Sequence, residues 1–195
     1  MGGEPHLICT AAAEMRAALP EGGVLLGLDL GTRTIGTALS DAGWRFATAG
    51  KTLPRDKFSR DLDALRALAA GRKVAGIVLG LPLNMDGSEG PRAQSARAYA
   101  RNLAPLGRPV LLWDERWSTA SAERDLIAQD FSRAKRAERI DSHAAAVILQ
   151  AALEAQAGVL DTAGRDELWR RAENSGSRLV ALEAWRYRAA LETIG

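Results

Sequence analysis

Three carboxylates occupy settings in which an acidic side chain can do chemistry. Asp29 lies inside the apolar run Val24–Leu30, Glu115 closely follows the apolar run Pro109–Trp113, and Asp141 opens an apolar helical pattern. An ionised carboxylate removed from water costs several kcal/mol unless a cation or a set of hydrogen-bond donors compensates it. Because the three acids are far apart in the sequence, only the fold can bring them together.

Carboxylate oxygens without neighbouring His or Cys ligands suit hard cations such as Mg²⁺ or Mn²⁺. Two such ions about 3.5–4 Å apart can activate a water and stabilise the leaving oxygen of a phosphodiester. We therefore predict that all three acids are catalytic metal ligands, with Asp29 anchoring both ions, Glu115 holding one and Asp141 the other.

Each acid also has a structural alternative when it is considered alone. Asp29 can end its strand and bond backbone amides in the turn, and Glu115 can pair with Arg116 or another arginine. Asp141 can be a helix N-terminal acid that the helix dipole favours. All three alternatives must hold together for the metal site to be absent.

The order of predicted elements indicates how the acids are positioned. Apolar runs and alternation predict strands at 24–30, 34–40, 44–52, 74–80 and 109–113, and the first three form an antiparallel meander. Helices are predicted at about 62–71, capped by Gly71, and at 88–103, 119–129 and 140–155. This order predicts an α/β, ribonuclease H-like domain: a mixed five-stranded sheet with helices on both faces, its last strands added through right-handed crossovers. Chemistry in such sheets gathers at the carboxyl ends of the strands.

The sequence divides into a central domain and two extensions. We predict an N-terminal helical extension at 1–22, the nuclease-like domain at 23–158 and a C-terminal helical extension at 159–195. In the last segment, apolar residues follow alternating steps of four and three, which is typical of a helix face that needs a partner. That face can pack on the domain, on a second copy in a homodimer, or on another protein.

Composition favours a soluble cytoplasmic protein that binds a polyanion. The chain has 195 residues, of which 47% are apolar, a formal net charge of +2 and a pI near 9.0. Its single cysteine, Cys9, cannot form an internal disulfide, which fits a reducing compartment. No apolar run approaches the length of a membrane span, so no membrane partner is expected.

Basic residues near the acids are the predicted contacts to nucleic acid, either structured RNA or branched DNA. The stretch 133–139 carries four cations against one acid and precedes Asp141, so it should overhang the metals and bind backbone phosphates. Further candidates are Asn84, which can instead order its own loop, and Arg92, which can instead be part of a solvated face. His143 is two residues from Asp141 and so on another helix face, where partial exposure is expected. The predicted nucleic-acid-binding residues are Arg133, Lys135, Arg136, Arg139, Asn84 and Arg92.

Four motifs together resemble one known family. Gly27–Thr32 (GLDLGT), Gly80–Gly87 (GLPLNMDG), Asp114–Thr119 (DERWST) and Ile140–Ser142 (IDS) look like the successive motifs of the YqgF family, also called RuvX. The likeness runs from about residue 23 to 158. Trp117 and His143 depart from the family pattern, but neither departure removes a carboxylate.

The resemblance implies a bacterial, cytoplasmic, metal-dependent nuclease of the ribonuclease H-like class. The family is assigned to maturing the 5′ end of the small-subunit (16S) ribosomal RNA precursor, and also to resolving Holliday junctions by similarity to RuvC. Carried over by motif, its acidic residues fall on Asp29, Glu115 and Asp141. Two remoter readings stay open: an actin-like ATPase, in which an Asp-x-Gly-Thr turn cradles phosphates, and a non-catalytic ribosome-associated factor.

Overall fold

The computed structural model describes residues 7–117 and 133–157, with side chains at 7–116 and 141–156. Two 3-10 turns, Ala104–Leu106 and Glu115–Trp117, accompany the regular elements. The strands are β1 (Ile8–Cys9), β2 (Val24–Leu30), β3 (Thr34–Ser40), β4 (Ala47–Ala49), β5 (Leu53–Pro54), β6 (Val74–Leu81) and β7 (Val110–Asp114). The helices are α1 (Ala12–Ala18), α2 (Phe58–Arg72), α3 (Pro91–Asn102) and α4 (Arg133–Ala157).

The strands form one mixed sheet in the order β1-β7-β6-β2-β3-β4, and β5 also pairs with β3. Strands β2, β3 and β4 make the predicted antiparallel meander, while β6 is parallel to β2, β7 to β6 and β1 to β7. This confirms the mixed sheet and the strand arrangement expected of a ribonuclease H-like domain.

The expectation of five strands was wrong, because the described residues contain seven. One reason is that the predicted strand 44–52 is two short strands, β4 and β5. The carboxylate of Asp41 accepts hydrogen bonds from the amides of Gly43, Arg45 and Phe46, so those amides are not available to a ladder. The sheet pairing therefore begins only at β4.

The second additional strand comes from the segment before residue 23, which we predicted to be only helical. Strand β1 pairs in parallel with β7, and the amide of Val110 donates to the carbonyl of Leu7 at 2.9 Å. Cys9 and Met15 are buried in the core, and burial raises the pKa of the Cys9 thiol to about 12. Residues 7–18 thus extend the sheet and its core.

Helices cover both faces of the sheet, as predicted. Along β2, Leu25 belongs to the core cluster beneath α1 and α4, and Leu26 to the cluster beneath α2 and α3. This alternation places successive side chains on opposite faces. Asp29 therefore shares the α4 face of the sheet with Leu25 and Gly27.

Two helix boundaries differ from the sequence-based expectation. Helix α4 already includes Arg133, so the basic stretch 133–139 is helical and Asp141 lies beyond the first turn, outside the reach of the dipole alternative. Gly71 does not cap α2 but lies inside it, and the chain leaves the helix at Lys73, whose φ is +50°.

Other predictions fall where the structure gives no description. The predicted helix 119–129 and the C-terminal helical extension 159–195 lie outside the described residues. Among the helices of 7–117 and 133–157, none combines the length and the hydropathy needed to cross a membrane.

Helix α4 packs closely on the sheet over two glycines. A Cβ atom on Gly27 would lie 2.8 Å from the Cβ of Leu149 and 2.9 Å from the carbonyl oxygen of Ala145. A Cβ on Gly36 would overlap the backbone carbonyl of Asp141. Both strand positions must lack a side chain for the helix to approach this far.

We expect Gly27→Ala to lower the free energy of unfolding by about 1–3 kcal/mol, because the added methyl meets the backbone of α4. Chemical denaturation monitored by circular dichroism measures the change. Gly71→Ala is the matched control: that position faces open space within a helix, so the same methyl should stabilise by up to about 1 kcal/mol. Equal stability of the Gly27→Ala variant and the unaltered protein would contradict the close packing.

Candidate active site

The site lies at the edge of the sheet where three parallel strands end. In the register of the sheet, Leu28 is opposite Leu79 and Leu79 is opposite Leu112. Continuing this register by one residue sets Asp29 beside Gly80. Strand β7 ends at this edge, and Glu115 follows directly in a 3-10 turn. Two of the predicted acids therefore come from the ends of strands β2 and β7, with β6 between them.

Asp29 and Glu115 are both removed from solvent on the α4 side of the sheet. Asp29 is 2% exposed and Glu115 is 8% exposed. A Cβ on Gly80 would overlap Glu115 Oε1 and would lie 3.0 Å from Cδ1 of Ile148 in α4. Gly80 thus makes the room that the Glu115 carboxylate occupies over β6.

Asp141 reaches the same face from α4. Its backbone carbonyl rests on Gly36, which is the antiparallel partner of Asp29 in the sheet. The hydroxyl of Thr34 donates a hydrogen bond to Asp141 Oδ2, and that oxygen is 3.6 Å from where a Cβ of Gly31 would be. The structure therefore places all three predicted acids on one face at one edge, with Asp29 between the other two.

The three acids do not have the geometry of a complete metal site. Within the described side chains, no group of three or more His, Cys, Asp and Glu residues has the geometry of a ready metal site. Carboxylate oxygens, such as those of Asp29, Glu115 and Asp141, are nevertheless the type of ligand that Mg²⁺ and Mn²⁺ prefer. Thr34 donates a hydrogen bond to Asp141 Oδ2. If the carboxylate rotated to bind another group through this oxygen, it would lose the hydrogen bond from Thr34.

The Arg116 guanidinium is directed at Asp114. Its Nη2 is 2.7 Å from Asp114 Oδ2 and its Nε is 3.0 Å from the same oxygen. These hydrogen bonds raise the pKa of Arg116. Arg116, which we considered as a partner for Glu115, therefore forms an ion pair with the neighbouring acid Asp114.

The loop after β6 is ordered by its own polar side chains. The Asn84 amide donates to Ser88 Oγ at 2.9 Å, and the Ser88 hydroxyl donates to Asp86 Oδ1 at 2.6 Å. Hydrogen bonds from the hydroxyl and the amide of Ser88 lower the pKa of Asp86. Asn84 is exposed, but its amide is already engaged within the loop, which favours the loop-ordering reading over nucleic-acid binding.

Of the five cations predicted to bind nucleic acid, the structure describes the side chain of one and only the backbone of the other four. Arg92 is exposed on α3 and lines a cavity that also contacts Glu115. The side chains of Arg133, Lys135, Arg136 and Arg139 lie outside the described residues, although their backbone belongs to α4. His143 is exposed on α4, as expected from its spacing to Asp141.

Sequence reasoning missed several residues that build this edge. Gly36 and Gly80 make room for Asp141 and Glu115 through their lack of a side chain, which the spacing of the carboxylates does not reveal. Thr34 was assigned only to a strand. Arg55 donates from Nη1 to the carbonyl of Gly31 at 2.6 Å, and its long separation from that turn gave no signal.

The sheet and its edge define a ribonuclease H-like domain, with two acids at the carboxyl ends of its strands and a third on α4. The sequence profile of RuvX, described as a Holliday junction resolvase, matches residues 23–155. The chain belongs to the RuvX family, which confirms the resemblance seen in its motifs.

The chain is also similar to curated bacterial relatives over nearly their whole length. It is 69% identical over 149 residues to a protein of Sphingopyxis alaskensis, covering 76% of this chain and 98% of the relative. It is 67% identical over 152 residues to one of Novosphingobium aromaticivorans, covering 78% of this chain and 98% of the relative. Both carry the name "Putative pre-16S rRNA nuclease".

Solved structures of Thermus thermophilus RuvC are similar at a lower level. RuvC in complex with a Holliday junction substrate is 13% identical with a TM-score of 0.47, covering 71% of this chain and 98% of that chain. A second RuvC structure is 16% identical with a TM-score of 0.44, covering 69% of this chain and 96% of that chain.

We expect Gly80→Ala to weaken Mn²⁺ binding at least about tenfold, because the new methyl displaces the Glu115 carboxylate. Isothermal titration calorimetry measures the affinity. Gly76→Ala, on the same strand, is the control: its methyl meets the flexible ends of Met15 and Leu19 instead, so Mn²⁺ affinity should stay within about twofold. Unchanged Mn²⁺ affinity in Gly80→Ala would remove Glu115 from the set of ligands.

Proposed function

We propose that the protein is a metal-dependent nuclease that hydrolyses phosphodiester bonds of nucleic acid, with Asp29, Glu115 and Asp141 as its catalytic metal ligands. The observation that carries the proposal is the convergence of these three acids, from β2, from the turn after β7 and from α4, on one face of one sheet edge. Family membership supports the same reaction class.

The oxygen-only donor set fits Mg²⁺ or Mn²⁺, and bound divalent ions would supply an activated water and charge stabilisation for the leaving oxygen. The chain's own residues supply position. Asp29 lies in the centre, and the absence of side chains at Gly36 and Gly80 lets the other two acids approach it. Thr34 holds Asp141 in orientation through its hydroxyl. Burial of Asp29 and Glu115 strengthens their electrostatic interaction with a cation.

The substrate we favour is the 5′ region of the 16S ribosomal RNA precursor. The support is the name of relatives that are 67–69% identical and that this chain matches over 98% of their length. Such an enzyme would work in the cytoplasm. The alternative substrate is a four-way DNA junction, which the description of the family supports. Resolving a junction requires two symmetry-related active sites, so a stable homodimer would favour that alternative.

The remoter alternatives have less support. An actin-like ATPase places its nucleotide between two domains, and the described residues form a single sheet with its helices. A non-catalytic factor would not need two acids that are buried at the carboxyl edge of the sheet.

The basic stretch of α4 is the proposed contact to the nucleic-acid backbone. The helix that supplies Asp141 also contains four cations in the two turns before it: Arg133, Lys135, Arg136 and Arg139. Contacts of this kind give salt-dependent affinity with little sequence preference.

Asp29→Asn should reduce cleavage at least about a hundredfold, because the central carboxylate would no longer neutralise the ions. Purified protein is incubated with Mg²⁺ or Mn²⁺ and either a precursor 16S RNA fragment or a synthetic four-way junction. Asp63→Asn, an exposed acid on α2, is the control and should leave the rate unchanged. Cleavage of RNA but not of the junction supports the favoured substrate, and the reverse supports the alternative. Full activity of Asp29→Asn would overturn the proposed site.

Replacing Lys135 and Arg136 by Gln should weaken RNA binding and lower the slope of log affinity against log salt by about 1.4, because two phosphate contacts are lost. Fluorescence anisotropy at several salt concentrations measures both quantities. Arg72→Gln, an exposed cation at the end of α2, should change neither. An unaltered salt slope in the double variant would show that the basic stretch does not contact the backbone.

A further inference from the structure

A cavity of about 220 Å³ opens beside Glu115, on the side of β6 where α3 begins. Its walls come from the turn after β2, from Pro82 in the loop after β6, and from the first turns of α3. Part of the lining is apolar, contributed by Leu30, Pro82 and Ala96, and the charged part consists of Arg55, Arg92 and Glu115.

The two arginines that line the cavity can each bind an anionic ligand. Within the described residues, neither Arg55 nor Arg92 has a carboxylate at ion-pairing distance. Other arginines nearby are paired: Arg97 with Glu89 at 2.5 Å, and Arg116 with Asp114 at 2.7 Å. Even with the carboxylate of Glu115 in the lining, the two arginines leave the cavity with a net positive charge, which favours an anion.

Arg55 is also fixed in place. Its Nη1 donates to the carbonyl of Gly31 at 2.6 Å, and its Nη2 is 3.3 Å from Ser95 Oγ. The guanidinium carbon lies 5.8 Å from the centre of the Tyr99 ring, within cation–π range. Its backbone amide also donates to the carbonyl of Arg33 at 2.8 Å. A guanidinium has five N–H donors, so these contacts leave others for a ligand whose position they would define.

The composition of the walls indicates the class of anion. A guanidinium fork matches the oxygens of a phosphate, and a bidentate contact gives geometric specificity. Apolar walls beside the cations fit the ring of a sugar. A phosphate carried on a sugar therefore matches both parts of the lining better than a bare inorganic anion does.

We propose that this cavity binds one backbone phosphate of the nucleic-acid strand, beside the bond that is cleaved, through Arg92 and the fixed guanidinium of Arg55. The proposal rests on the proposed nuclease function, because it takes the occupant to be a nucleic-acid strand. It adds a defined phosphate subsite next to Glu115 and gives Arg55 a second role, that of positioning the turn that follows Asp29.

The experiment uses single-stranded RNA in which one phosphate at a time is replaced by an uncharged methylphosphonate, bound to the full chain carrying Asp29→Asn so that no cleavage occurs. With Arg92 present, we expect one position to weaken binding about fivefold when it is neutralised. In the added Arg92→Gln background, that same substitution should cost less than about twofold, because the contact is already lost. Arg55→Gln should abolish the effect at the same position.

Arg101→Gln is the matched control, since Arg101 is an exposed cation on the same helix but does not line the cavity. The methylphosphonate effect should persist there at full size. If no position depends on Arg92, the phosphate subsite is refuted even when the unaltered chain cleaves RNA. If the unaltered chain cleaves neither RNA nor a four-way junction, the nuclease proposal fails, whereas an Arg92-dependent position would still support binding of a backbone phosphate in this cavity.

Discussion

The close approach of α4 to the sheet is the constraint on which the site depends. Asp141 lies over Gly36, the sheet partner of Asp29, because the helix packs directly on the strand backbone there, and the same approach is repeated at Gly27. Gly80 does the equivalent for Glu115 on the other side. Charged groups are thus assembled where backbones touch, so van der Waals packing sets the spacing of the carboxylates.

The sequence predicted the sheet because its strands are long apolar runs with clear ends, and it singled out Asp29 because a carboxylate stands out inside such a run. It missed β1, since two residues show no periodicity and the pairing depends on a strand about a hundred residues away. The prediction that Gly71 caps α2 was wrong. Gly ends many helices, but here the left-handed residue at the helix end is Lys73. The conformational preferences of single residues reveal neither the pairing of β1 with β7 nor the conformation of Lys73.

For a similar reason, the sequence did not reveal which residues support the acids at the site. Glu115 and Asp141 were predicted from position alone, but what holds them is tertiary: Thr34 on β3 for one carboxylate, and the empty side of Gly80 for the other. Arg55 is the clearest omission, because its contact to Gly31 joins two segments that no spacing rule relates. Residues that act by supporting others carry no chemical signature in the sequence.

The pairing of β1 with β7 has a consequence for the folding of the chain during translation. The first strand leaves the exit tunnel with no partner, and about a hundred further residues must be translated before β7 is available to receive it. The helix that bears Asp141 emerges later still. A nascent chain therefore has Asp29 and Glu115 before it has Asp141, and this edge of the sheet is completed only after α4 has been translated.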